Sequence, residues 1–121
     1  MKPEERDPAY LWDMLDSAKS IGEFTKGINF EQYIKNRLLQ HAIERCLEII
    51  GEAARRISKE YQQQHPEIPW RMIIAQRNVL THEYGEIKHE RIWKVISQHV
   101  PELISNLEKL IPPLPDISDE K

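Results

Sequence analysis

A chain of 121 residues, 40% hydrophobic and 31% charged, is long enough to bury one core and too apolar to be disordered. A net charge of −3 argues against a protein that coats nucleic acid non-specifically, and no apolar run approaches the length of a membrane span. The charged start MKPEERDP lacks the apolar stretch of a secretory signal, and a lone cysteine, Cys46, cannot form an intrachain disulfide; both fit a reducing, cytoplasmic location.

Charge is unevenly spread. Residues 1–44 carry 6 basic and 8 acidic side chains, 45–94 carry 9 and 7, and the remainder 2 and 5. Any surface that takes a phosphate should therefore come from the middle of the chain. Four glycines and few strand-type runs favour an all-α fold.

The first helix is predicted at about 8–26, with Asp7 as N-cap and Pro8 at the first helical position. Leu11, Met14/Leu15, Ala18 and Ile21 recur with helical period, and Gly27 suits the left-handed residue that follows a helix. Asn29 with Gln32 resembles a capping box. From Phe30 through Leu38, Ile43, Leu47, Ile50 and Ala54 to Tyr61 the period continues, predicting one long second helix with a bend near Gly51.

Pro66 and Pro69 end that helix. Pro69 then suits the first turn of a third, PWRMIIAQRNVLTHEY, apolar around most of its circumference and so expected to be central and buried. Gly85 should end it. A fourth helix is expected from about Ile87, kinking at Pro101 and resuming as PELISNLEKL. Residues 1–111 thus read as one helical domain of four to five helices, and the Pro-rich acidic tail 112–121 as a loose appendage.

The stretch RNVLTHEYGE holds the chemistry. At about 100° per residue, Arg77 and Tyr84 share a face of the third helix, and Asn78 and His82 form an i,i+4 pair. Arg77 and His82 are about 140° apart, so they cannot stand side by side on an unbroken helix. Arg-x4-His alone would occur by chance about a third of the time in such a composition; adding the Tyr lowers this to roughly one in a hundred. The bland reading is a core histidine beside a surface arginine. His89 and His99 have no metal-ligand spacing with His82, and HEYGE is not the two-His zinc pattern, so neither a metal nor a cofactor is expected. Arg55, Arg56, Lys59 and Arg71 are candidates for phosphate contacts, against the alternative of solvated helix faces. Lys88 is a weaker one, and Glu52 could support the site through an ion pair. Trp12, Trp70 and Trp93 read as core anchors and Cys46 as an inert buried thiol.

The blocks GEAARRIS, HPEIPWR, RN…THEY and IW…VPEL, in that order, closely resemble the HepT-like toxins of the HEPN superfamily. The resemblance spans about Asn36 to Leu110. It implies an all-α HEPN-type bundle forming a two-fold homodimer, and a metal-independent ribonuclease whose Arg-x4-His-x-Tyr motif lines the dimer cleft, here Arg77, Asn78, His82 and Tyr84. It also implies a type VII-like toxin–antitoxin module, in which a minimal nucleotidyltransferase antitoxin silences the toxin by transferring AMP to the motif tyrosine, Tyr84 here. The residue types suit the task. A histidine titrates near neutrality and can serve as acid or base, and an arginine fork matches phosphate oxygens. The alternatives are a non-catalytic HEPN-type dimer that binds a nucleotidyltransferase and its nucleotide, and a purely structural helical dimer. Neither needs a titratable histidine at that position.

Overall fold

The computed structural model describes residues 3–82 and 85–111, with the backbone alone for 3–5, 77, 82 and 86. Among these residues every regular element is helical. Helix α1 spans Pro3–Phe24, α2 Phe30–Ile34, α3 Arg37–Arg56, α4 Lys59–Gln64, α5 Trp70–His82, α6 Gly85–Lys94 and α7 Val100–Leu110, with a π-helical turn, Val95–His99, joining α6 to α7. The fold is an all-α bundle. The tail 112–121 lies outside the described residues.

The predicted apolar stripe of α1 is its core face: Leu11, Met14, Ala18 and Ile21 are buried. The start differs from expectation, because α1 begins at Pro3 and carries Pro8 inside it. Asp7 is therefore not an N-cap. Its buried carboxylate accepts hydrogen bonds from the Ser58 backbone N–H (2.9 Å) and hydroxyl (2.6 Å), tying α1 to the start of α4. Past the helix, Gly27 adopts φ +73, the left-handed conformation that glycine tolerates without a Cβ clash.

The long second helix is three helices. The capping box forms as predicted, Asn29 accepting from Gln32 N–H and Gln32 accepting from Asn29 N–H, both at 2.9 Å. But α2 stops after five residues. Extended Asn36 caps α3 by accepting from Leu39 N–H at 3.0 Å, and buried Gln40 donates to the Tyr33 carbonyl at 2.9 Å to close the break. The break also shifts the register, so Leu39 is buried while Leu38 is 82% exposed. A second interruption falls at Ile57, where Ser58 caps α4. The Gln62 amide donates to the Ala54 and Ile57 carbonyls there. Short Asn and Ser side chains that bond nearby backbone compete with helix continuation. Helix α3 runs through Gly51 without interruption. A Cβ at this position would meet the Ile73 carbonyl at 3.5 Å, so the glycine marks where α5 comes close to α3.

Helices α1 and α3 pack along each other, with α7 against α1 and α5 against α3. The core is built from α1, α3 and α7, completed by Ile92 of α6 and Ile96 of the π turn. Helix α3, not α5, is the central element. Within the single chain α5 fully buries only Trp70 and Ile73 of its described side chains, because α3 and α6 cover one side and leave Met72, Ile74, Val79 and Leu80 half-buried. Gly85, at φ +63, is the first residue of α6, which thus starts two residues before the expected Ile87, and α5 ends at His82. The kink expected at Pro101 is a π turn, in which the Val100 N–H donates to the Val95 carbonyl. The widened turn precedes the proline, which lacks a donor and crowds the preceding turn.

Candidate active site

Helix α5 is continuous through His82. Positions 77 and 82 therefore keep their backbone offset of about 140°, and no unwinding within the helix brings them together. The side chains of Arg77 and His82 lie outside the described residues, as does Tyr84 entirely. Asn78 is exposed.

Among the described residues, three grooves border α5. The first lies against α3. It has a volume of about 430 Å³ and is lined by Gly51, Glu52 and Arg55 on one side and Ile74, Leu80 and Thr81 on the other. Position 77 falls, by helical register, among those three α5 residues. The second, about 670 Å³ and more open, lies between α4 and α5 and has Lys59 and Arg71 on its rim. The third, about 320 Å³, lies between α5, the π turn and α7. Its walls are mainly apolar, and its rim carries Glu67, Gln76, His99, Glu102 and Asn106.

The four basic residues expected to meet phosphates divide into two pairs. Arg55 and Arg56 both turn to Glu52, at 2.7 and 3.1 Å, within α3. The Arg55 hydrogen bond, above all, holds the Glu52 carboxyl below the usual carboxylate range. Glu52 thus forms the expected ion pair, and it leaves one net positive charge on three groups. Lys59 and Arg71, twelve positions apart in sequence, both line the second groove and have no ion pair or hydrogen bond among the described residues.

Lys88 pairs instead with Glu44 at 2.6 Å, joining α6 to α3, so it is committed to the fold. Trp70 is buried and its indole N–H donates to the His65 carbonyl at 2.9 Å, which makes it an anchor. Trp12 and Trp93 are only half-buried. Trp93 rests on Tyr33, their ring centres 5.3 Å apart. Cys46 is buried, and burial pushes its thiol pKa up. Sequence reasoning missed Thr81, Gln76 and Asn106 as groove-lining residues. Helical register would have placed Thr81 beside position 77, but nothing local links Asn106 to α5.

The family model described as "Ribonuclease HepT-like" matches residues 14–110. A Methanocaldococcus jannaschii protein, MJ1380, described as a candidate RNase, is 38% identical over 100 residues, covering 83% of this chain and 92% of its own. A Thermococcus cleftensis protein named Probable ribonuclease HepT is 38% identical over 110 residues, 91% of this chain and 98% of its own. A candidate RNase of Caldanaerobacter subterraneus, TTE0752, is 36% identical over 102 residues, 84% and 91% of the two chains. No solved structure matches the chain significantly.

Proposed function

Since this chain belongs to the HepT-like ribonuclease family, we propose that it is the RNA-cleaving toxin of a two-component toxin–antitoxin module and that Arg77 and His82 carry the cleavage. The observation that carries the assignment is the unbroken course of α5 through His82. One chain then offers its Arg and its His on different faces, and a two-fold partner supplies the complement. Half-buried Ile74, Val79 and Leu80, with Ile87 58% exposed just beyond Gly85, give a second copy apolar surface to cover near the motif.

RNA brings its own nucleophile, the 2′-hydroxyl beside each phosphate. One His82 takes the 2′-hydroxyl proton and the partner's His82 protonates the departing 5′-oxygen, leaving a 2′,3′-cyclic phosphate. Arg77 sits on the developing phosphorane, and Asn78 orients the histidine or donates to the phosphate. No step uses a metal, so cleavage should continue in excess chelator. Tyr84 is the off-switch. AMP attached to its phenolic oxygen by a nucleotidyltransferase antitoxin adds bulk and a phosphate that competes with the substrate's own phosphate for the site.

Mixing tests both the residues and the composite cleft. His82→Ala and Arg77→Ala homodimers should each lose cleavage by about 10²–10⁴-fold and no longer arrest growth. Mixed dimers carrying one of each change keep one His82 facing one Arg77, and should recover only the part of the activity that a single proton-transfer histidine supports. Tyr84→Phe should still cleave and should resist AMP transfer. A His82→Ala protein as active as wild type would remove the catalytic assignment.

A further inference from the structure

The geometry points to the groove between α4 and α5 as the track along which single-stranded RNA enters the site. This deepens the ribonuclease reading above and rests on it. The chain is net acidic, and five of its described helix cations are ion-paired: Lys19 with Glu108, Arg45 with Glu48, Arg55 and Arg56 with Glu52, Lys88 with Glu44. Unlike other cations unpaired among the described residues, such as Arg37 and Lys94, Lys59 and Arg71 line a groove beside α5. Both are exposed, both are unpaired among the described residues, and both edge one groove.

The floor between them is apolar, made by Pro66, Ile68, Pro69 and Ala75, and its volume of about 670 Å³ has room for more than one nucleotide. Trp70 lies beneath, with its N–H committed to His65, so bases would lie against the prolines, Ala75 and the flat guanidinium of Arg71. Unpaired cations for the backbone over an apolar floor for the bases is what a single strand needs.

The groove also has a direction. Positions 71, 75, 78 and 82 are spaced four, three and four apart, a single ridge along α5. Arg71, Ala75 and Asn78 are exposed along it. From Arg71 to position 82 the helix rises about 16 Å, or about five stacked-nucleotide steps. The third groove cannot share this task, because Glu67 and Glu102 on its rim repel phosphates.

The probe is a mixed-sequence 2′-O-methyl RNA of about twelve nucleotides, which cannot be cleaved, with binding read by fluorescence anisotropy from about 50 to about 300 mM salt. Replacing both exposed cations, Lys59→Ala with Arg71→Ala, should lower the log–log salt slope by about 1.4 and weaken binding about tenfold at low salt. Lys26→Ala, in the exposed turn after α1, should leave the slope unchanged. A double variant with the wild-type slope, or an equal drop from Lys26→Ala, overturns the track. Cleavage of unmodified RNA by the wild-type chain is scored separately. Failure to cleave would remove the ribonuclease mechanism, and the slope would still decide the groove.

Discussion

Helices α3 and α5 lie side by side and treat their polar side chains in opposite ways. On α3 a buried stripe from Leu39 to Ala54 is backed by charged groups that are mostly paired, Glu44 with Lys88, Arg45 with Glu48, and Glu52 with two arginines. Of the described α5 side chains only Trp70 and Ile73 are fully buried, while Arg71, Gln76 and Asn78 have no polar partner among the described residues. Unpaired polar groups on a well-supported helix add nothing to folding. They stay open to a ligand, so the contrast places stability in α3 and fits the proposal that α5 carries the chemistry.

Core substitutions should break this contrast most forcefully if it is wrong. Ile43 of α3 is completely buried, so Ile43→Ala removes packed surface and leaves a cavity, costing about 2–5 kcal/mol in urea denaturation. Asn78→Ala on α5 should fall within about ±0.5 kcal/mol, since the side chain is exposed. Equal losses at the two positions would mean that α5 also carries the fold.

The next effect is smaller and lies at the end of α3. Asp7 receives both polar hydrogens of Ser58, and Asp7→Ala would leave a part-buried N–H and hydroxyl without their acceptor. The expected loss is about 1–3 kcal/mol in the same assay. A loss below that range would mean that water replaces the carboxylate and that the link between α1 and α4 is not structural.

The sequence made some of this legible and hid the rest for physical reasons. The stripes of α1 and α7, the Asn29–Gln32 box and the Gly27 exit are local patterns that nearby atoms complete. The breaks at Asn36 and Ser58 left the apolar period nearly intact, because consecutive helices still turn the same side to the core. A periodicity argument reads such a chain as one helix. The bond between Asp7 and Ser58 spans 51 residues and has no local signal. Burial of α5 was overestimated for a related reason: its apolar circumference records every surface that must be covered, whereas a single chain covers only part of it. The motif itself was legible as spacing. The placing of Lys59 and Arg71 on one groove depended on how residues 65–69 lead from α4 into α5.

One place on the stable side of the molecule breaks its own pattern, and it yields the smallest and most discriminating prediction. Tyr33 of α2 is fully buried, tilted against Trp93 and T-shaped to His89, and among the described residues its hydroxyl has no hydrogen-bond partner, nor has His89 Nδ1. An unpaired buried hydroxyl costs about 1–3 kcal/mol, so Tyr33→Phe, which deletes it and keeps the ring, should stabilise the fold by about 1 kcal/mol. The same burial, with a lesser contribution from the Glu44 carboxylate, raises the phenol's pKa far above its ordinary 10. In the unfolded chain Tyr33 ionises near 10, whereas in the folded chain it stays protonated. The folded state therefore binds more protons above that pH. This contribution to stability is complete below pH 10 and declines as pH rises past it, by up to about 1.4 kcal/mol per pH unit from this one group. Tyr33→Phe lacks the decline. Tyr61, whose pKa is also raised, chiefly by burial, titrates in both proteins and cancels in their difference. Urea midpoints measured at neutral pH and again above pH 10 should show the phenylalanine variant ahead at both, with the gap widening at the higher pH. A wild type that is the more stable at neutral pH would mean that the hydroxyl has a partner after all. A water bridging it to His89 Nδ1 would be the first to test, by His89→Phe.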